Sequence, residues 1–207
     1  MLQAVREYLS FEGVQYRNPD KAGDEREKML DLRQKGQEAR KSFTELAKTF
    51  QASHPEWQLQ QTSQWMNQAQ RLRPHFWAYL QRDGQVTEPM MALRLYGTPA
   101  NYGISLEVSF IERKKDEQTL SKQAKVLDIS PVEGMYYLAY TDDYSQKVEA
   151  TEENRLLLRT KVRNQEIRKV LIKSDVSFIE NQSVEAILEK LEEAYARLLP
   201  YYEVTRE

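Results

Sequence analysis

The sequence of 207 residues contains no cysteine. Disulfide bridges, thiolate zinc sites and cysteine nucleophiles are therefore excluded. Only two histidines occur, and since His54 precedes a proline and His75 follows one, both are expected in loops rather than in a metal site. No apolar run approaches the roughly 20 residues that cross a bilayer, and the N-terminal residues lack the charged and apolar regions of a signal peptide. These absences favour a cytoplasmic protein without a membrane partner.

A strong charge of either sign is also missing. The chain carries 30 Lys and Arg residues against 32 Asp and Glu residues, so the net charge is -2. A strong general nucleic-acid binder needs a global positive field, and any nucleic-acid site must here be a local patch. The Walker A, GxGxxG, GxSxG and HExxH motifs are absent from the sequence. Hydrophobic residues make up 40% of the chain, which is enough to bury a core.

The clearest strand prediction covers residues 104–112. Leu106, Val108 and Phe110 share one face by alternation, and polar residues share the other. Continued alternation places Glu112 and Lys114 on the apolar side, at the end of the strand. This charged end is either a solvated strand terminus or a functional site.

The whole pattern predicts one α+β domain over residues 1–207. It is expected to have a mostly antiparallel sheet of about five or six strands, with a long N-terminal helix and a C-terminal helix packed on it. The domain divides into three segments: an N-terminal helix and loop (1–24), a core helix and sheet (25–141), and a C-terminal helix–strand–helix segment (142–207). Predicted strands are 57–61, 76–80, 90–96, 104–112, 135–141 and 169–174.

The helix predictions rest on apolar stripes and capping residues. Residues 62–72 are expected to continue a strand or form a short helix, and residues 142–150 are expected to be a polar loop. The last helix should begin at a cap provided by Asn181 or Ser183 and stop at Pro200. The other predicted helices are 2–9, 25–51, 117–127 and one that follows a cap at Thr151.

Three groups of residues are candidates for function, and the first is the triplet Glu112-Arg113-Lys114. Its Glu-x-Lys pattern and the surrounding order of elements resemble the core of PD-(D/E)XK nucleases. The resemblance implies Mg²⁺ as cofactor, with Glu112 as a metal ligand and Lys114 assisting the attacking water. Glu88, just before the strand predicted at 90–96, is the nearest carboxylate to the position of the family's second acid. The alternative interpretation is a charged strand end.

The second group is aromatic. Trp57, Trp65 and Trp77 lie in one segment that is rich in glutamine. Indole faces beside amide groups are suited to hold a flipped or unpaired base, and stacking contributes about 1–3 kcal/mol per base. The alternative is that these side chains belong to the core.

The third group is a basic stretch that begins at Arg155 and ends at Lys173, with Glu166 as its only acid. Its cations are suited to contact phosphates. A solvated helix face and loop would have the same composition. The other cations of this stretch are Arg159, Lys161, Arg163, Arg168 and Lys169.

A second resemblance rests on the spacing of hydrophobic residues and on a few aromatic residues. These lie in segments 74–80, 91–97 and 103–108 and in the C-terminal helix. This pattern resembles the N-terminal domains of McrB-type proteins. The resemblance implies recognition of modified DNA, with a base flipped between aromatic side chains. Together with the aromatic segment and the basic stretch, this favours the hypothesis of a non-catalytic, cofactor-free domain that binds nucleic acid in a bacterial defence or restriction setting.

Two other hypotheses stay open. One is the Mg²⁺-dependent nuclease that would use Glu88, Glu112 and Lys114. The other is a protein-interaction domain, which would bind a protein partner or form a homodimer through the long helix and an exposed aromatic tail at Tyr201 and Tyr202.

Overall fold

The computed structural model describes residues 2–82, 84–179 and 182–206. Within these residues the chain forms five α-helices and one sheet of seven antiparallel strands, which confirms the α+β class with a slightly larger sheet than expected. The helices are α1 (Leu2–Leu9), α2 (Arg26–Ala52), α3 (Glu117–Ala124), α4 (Glu152–Arg163) and α5 (Val184–Arg206). The strands are β1 (Gln58–Leu59), β2 (Trp77–Gln81), β3 (Met90–Thr98), β4 (Asn101–Ser109), β5 (Met135–Tyr140), β6 (Ser145–Glu149) and β7 (Lys169–Ser177).

The sheet has the order β1-β2-β3-β4-β7-β5-β6. Strands β1 to β4 follow one another as a meander, and β7 is inserted between β4 and β5. The arrangement places β2 and β5 on opposite sides of the three central strands β3, β4 and β7. Within the described part of the chain, no helix is long and apolar enough to span a membrane.

One face of the sheet packs against α1, α2 and α5 to form the core. Leu93 and Leu106 are paired on neighbouring strands of this face and are fully buried. The predicted apolar stripe of α2 faces them, and burial of that stripe rather than helix propensity stabilises the helix. Its buried residues are Met29, Leu32, Gly36, Ala39, Phe43, Leu46, Ala47 and Phe50.

Strand β4 ends at Ser109, which corrects the predicted strand at 104–112. Ser109 pairs with Met90, the first residue of β3, so β4 has no further partner in that strand beyond this point. Glu112–Lys114 form a short 3-10 turn instead. The alternation that placed Glu112 and Lys114 on one side of a strand therefore does not apply to them.

The C-terminal helix continues through Pro200, where the sequence predicted its end. Proline inside a helix costs about 3 kcal/mol of stability. Burial of the residues that follow Pro200 must therefore stabilise the helix by more than this amount. Tyr201 and Tyr202 are buried, the Tyr201 hydroxyl donates to the Ser130 carbonyl at 2.8 Å, and Tyr202 lies against Trp57. The two tyrosines are thus core residues, and the prediction that they form an exposed aromatic tail is wrong. Ser183 caps the start of α5, while Asn181 lies outside the described residues.

Two further segments differ from expectation. Residues 145–149, predicted as loop, form the edge strand β6. Residues 62–72 are neither strand nor helix but a loop with a bridge between Met66 and Leu72. Arg40 on α2 fixes the start of this loop, because its guanidinium donates to the carbonyls of Thr62 and Ser63, both at 2.9 Å.

Candidate functional site

The sheet face opposite the core carries polar, charged and aromatic side chains, and we call it the polar face. One row of paired residues crosses it from β2 to β5: Tyr79, Ala92, Glu107, Lys173 and Tyr136. The charged pair thus lies at the centre of the sheet with a tyrosine on each flank. Glu107 is fully buried and Lys173 is 5% exposed. The centre of this face is therefore protected from solvent although it is polar.

Glu107 is held by two cations. Arg94 Nε and Nη2 both donate to Oε1, at 3.0 and 2.9 Å, and Lys173 Nζ lies 2.8 Å from Oε2. Burial alone would raise the pKa of Glu107, but the positive charges of Arg94 and Lys173 outweigh it and lower that pKa to about 2. The cluster of Glu107, Arg94 and Lys173 therefore carries one surplus positive charge at neutral pH.

A cavity of about 410 Å³ opens above this cluster, and we call it the polar-face cavity. Its size falls in the range of about 300–1,000 Å³ that is typical of small-molecule sites. One wall comes from β2 and the residues before it, and the other comes from β5 and the start of β7. The lining residues on the first wall are Arg73, His75, Trp77 and Tyr79, and those on the second are Leu138, Tyr140, Lys169 and Leu171.

Trp77 is the largest ring of the first wall and is half-buried. Its backbone N–H donates to Ser63 Oγ at 3.1 Å, which ties the start of β2 to the preceding loop. The guanidinium carbons of Arg73 and Arg94 lie 4.8 and 5.4 Å from its ring centroid. Burial and the nearby Arg94 lower the pKa of the neighbouring His75 to about 4, so its imidazole is neutral at physiological pH.

The second wall combines a cation with two rings. Lys169 Nζ lies 3.9 Å from the ring centroid of Tyr140 and 5.5 Å from that of Phe110. The same Nζ lies 2.6 Å from Oε2 of Glu112, at the cavity rim. Both walls therefore present aromatic surface together with positive charge, which is the combination that binds flat anionic ligands.

The structure places the three predicted tryptophans in different environments. Trp57 and Trp65 are 2% and 6% exposed and lie in the core, so they offer no free face for a base. Trp57 Nε1 donates to the Tyr195 hydroxyl at 3.0 Å, and the Trp65 ring packs edge-on against Tyr16. Only Trp77 of these three lines the polar-face cavity.

The basic stretch also separates into two parts. Arg155 is buried, donates to the Leu127 carbonyl at 2.6 Å and pairs with Glu152, so it holds α4 in place. The remaining cations on α4 lie outside the cavity lining, and these are Arg159, Lys161 and Arg163. Arg159 is ion-paired with Asp128 at 3.2 Å. Three cations from the end of the stretch do reach the cavity or its rim, and these are Arg168, Lys169 and Lys173.

The three residues of the nuclease hypothesis do not form one site. Glu88 pairs with Lys122 of α3 at 2.8 Å, whereas Glu112 pairs with Lys115 and Lys169. Lys114 is exposed on the 3-10 turn. Among the described residues, no group of three or more His, Asp or Glu side chains is placed to hold a metal ion.

Of the three charged residues at the centre of the cavity, Lys173 belongs to the predicted basic stretch, whereas Arg94 and Glu107 belong to none of the three candidate groups. Arg94 and Glu107 lie within the strands predicted at 90–96 and 104–112, and no motif marks either residue as functional. A signal is nevertheless present, because Arg94 and Glu107 are the single charged residues of β3 and β4, and Lys173 directly follows the apolar residues 170–172 of β7. Charges in such positions are rare unless they are paired.

The fold and the cavity together define an α+β protein with an open cavity whose lining is aromatic and cationic. The amino-acid sequence matches no protein-family model, and a search of curated proteins finds no significant match.

Proposed function

We propose that the polar-face cavity is a non-catalytic recognition site for nucleic acid, which holds an unpaired or flipped base. The position of Trp77 carries this proposal, since its ring lies in a cavity whose two walls both bear aromatic rings and cations. A base has a flat face for the rings and an attached phosphate for the cations. The resemblance to McrB-type N-terminal domains supports the same type of ligand.

The electrostatics of the cavity support an anionic ligand. Its lining includes the cations Arg73, Arg94, Lys169 and Lys173. Among the described residues, two carboxylates oppose them at close range, Glu107 below the cavity and Glu112 at the rim. The surplus is local, because the whole chain has a net charge of -2. Such a patch favours one bound segment of nucleic acid over non-specific coating of the surface.

The cellular setting belongs to the same proposal. A recognition domain of this kind fits a cytoplasmic defence or restriction system, in which modified bases distinguish one DNA from another. The nuclease alternative receives no support from the geometry, since its proposed residues lie in separate ion pairs.

The first prediction concerns fluorescence of the tryptophan in the cavity. A base that stacks on Trp77 should quench its emission, while Trp57 and Trp65 in the core should be unaffected. Stacking contributes about 1–3 kcal/mol per base, so Trp77→Ala should weaken binding about tenfold or more. The measurement is a titration with labelled single-stranded, duplex and methylated duplex DNA, followed by anisotropy and by intrinsic fluorescence.

Trp77→Phe is the matched control for this prediction. Its ring retains much of the stacking surface, so anisotropy should show binding closer to wild type, while the quenching signal disappears. Absence of salt-dependent binding by the wild-type protein at about 50 mM NaCl would overturn the proposal, because phosphate contacts must be strongest at low salt.

A further inference from the structure

At the rim of the polar-face cavity, three cations converge on a single carboxylate. Glu112 Oε1 lies 2.7 Å from Lys115 Nζ and 3.3 Å from Arg168 Nη1, and Oε2 lies 2.6 Å from Lys169 Nζ. The cations come from two separate parts of the chain, the loop after the 3-10 turn and the start of β7. Two oxygens bridged by three cations have the geometry of a bound oxyanion.

The charges at this rim do not balance. Among the described residues, Asp142 is the second carboxylate beside these cations, and its Oδ1 lies 3.7 Å from Arg168 Nε. Three cations thus face two carboxylates, and Asp142 makes the longest of these contacts. A phosphate in place of the Glu112 carboxylate would match these cations at least as well, since a phosphodiester supplies the same single negative charge and a terminal phosphate supplies up to two.

Glu112 has the most exposed side chain of the four residues in this group. Its side chain is 45% exposed and stands on a three-residue turn, whereas the Lys169 side chain is 10% exposed and is fixed by Tyr140 and Phe110. Displacing Glu112 into solvent therefore needs no change in the sheet. The cations, in contrast, are already oriented toward the place it occupies.

We propose that Lys115, Arg168 and Lys169 form a phosphate subsite at the cavity rim, and that the Glu112 carboxylate occupies it until a phosphate displaces it. This inference rests on the proposed function only for the identity of the ligand, which is a phosphate attached to the base that the cavity holds. Glu112 thereby acts as a built-in competitor that weakens binding of all phosphate ligands.

The second prediction is that Glu112→Gln strengthens phosphate binding. Removing one competing negative charge should raise the affinity for AMP and for inorganic phosphate about tenfold. Adenosine, which lacks the phosphate, should bind the variant and the wild type equally. Calorimetry measures the nucleotide and nucleoside, and phosphorus NMR follows inorganic phosphate. Glu88→Gln is the matched control, because it also breaks an ion pair with a lysine, Lys122, but outside this cavity.

Lys115→Gln serves as the opposing variant. It should weaken AMP and phosphate binding, and opposite effects from Glu112→Gln and Lys115→Gln cannot both result from a damaged fold. The subsite is overturned if Glu112→Gln leaves the affinity for AMP, inorganic phosphate and a single-stranded oligonucleotide unchanged, or raises that for adenosine equally. A gain for the oligonucleotide alone supports the subsite and assigns it to a phosphodiester of the strand.

The same titrations separate this inference from the proposed function. If Glu112→Gln strengthens inorganic phosphate binding while adenosine and oligonucleotides bind neither protein, the subsite stands and the base-recognition site falls. If oligonucleotides quench Trp77 but Glu112→Gln and Lys115→Gln have no effect on their affinity, the recognition site stands and the subsite falls.

Discussion

Glu107 is the residue whose position is hardest to explain by stability alone. Removing a carboxylate from water is expensive, and a buried ion pair often contributes no more than well-packed apolar side chains would. Here the carboxylate fixes the side chains of Arg94 and Lys173 at the floor of a cavity. Its cost is understandable if the two cations must be held in a defined geometry for a ligand.

The third prediction follows from that burial. Glu107→Gln removes the counter-charge of two cations in a dry environment and should destabilise the protein by about 3–5 kcal/mol at neutral pH. The pKa of Glu107 is lowered from 4.5 to about 2, so the unfolded state binds the proton first as pH falls. The stabilisation by Glu107 is therefore complete above about pH 4.5 and is lost progressively toward pH 2, by about 3 kcal/mol.

Urea denaturation across this pH range checks the prediction. The difference between wild type and Glu107→Gln should shrink as pH falls from 4.5 to 2, because protonated Glu107 then resembles glutamine. Glu149→Gln is the control, since Glu149 is exposed on β6, and its effect should stay within about 0.5 kcal/mol. A pH-independent difference would show that Glu107 is not the charged partner of the two cations.

At the scale of elements, helix α2 and the loop that leads into β2 meet at Gly36. A Cβ atom at this position would lie 2.5 Å from Cε3 and 2.7 Å from Cδ2 of Trp65. The glycine therefore allows the indole ring to lie directly on the helix backbone. The close partner of the helix at Gly36 is thus a loop tryptophan and not a second helix. This contact positions the loop whose Ser63 holds the start of β2 and Trp77.

The fourth prediction is that Gly36→Ala destabilises the protein even though alanine favours helices. Helix propensity should contribute about 1 kcal/mol in favour of alanine, whereas inserting a methyl group into a packed contact costs about 1–3 kcal/mol. We expect a net loss of about 1 kcal/mol, measured by urea denaturation.

The contact between Gly36 and Trp65 also predicts a spectroscopic effect of Gly36→Ala. Trp65 should move, so the near-ultraviolet circular dichroism of the tryptophans should change. Gln37→Ala, an exposed position on the same helix, should be neutral or slightly stabilising. Equal or greater stability of Gly36→Ala than of Gln37→Ala would show that the loop yields to the added methyl group without cost.

The elements that sequence patterns predicted and those they missed differ in a physical way. Helix α2 and strand β4 bury an apolar stripe or face, and this leaves a periodic signal in the sequence. Strand β6 is an edge strand whose side chains are mostly exposed, so its sequence resembles that of a loop. The helix beyond Pro200 depends on burial of Tyr201 and Tyr202, which no local pattern encodes.

The candidate site was less predictable than the fold for the same reason. Trp77 and Lys169 were identified because aromatic and basic residues are visible in any sequence. Their meeting in one cavity depends on β7 being inserted between β4 and β5, which brings residues far apart in the chain onto one face. Burial of Glu107 likewise depends on Arg94 and Lys173 of the neighbouring strands and not on its own segment.

At the scale of the whole molecule, positive charge is concentrated on the polar face of a protein with a net charge of -2. Among the described residues of the cavity and its rim, six cations face three carboxylates. The cations are Arg73, Arg94, Lys115, Arg168, Lys169 and Lys173, and the carboxylates are Glu107, Glu112 and Asp142. The nucleic acid that we propose as ligand would therefore meet a small positive surplus, not an extended basic surface.

The fifth prediction is the salt dependence that this surplus implies. Each phosphate neutralised on a single strand contributes about -0.7 to the slope of log K against log salt concentration, so a surplus of three charges predicts a slope of about -2. The measurement is the affinity for a single-stranded oligonucleotide across a range of NaCl concentrations. The double variant Lys161→Gln/Arg163→Gln on α4 should keep this slope, because neither residue lines the cavity. A slope near -5 that falls in the α4 variant would place the main phosphate contacts on that helix, whereas a slope near zero would exclude phosphate contacts at the polar face altogether.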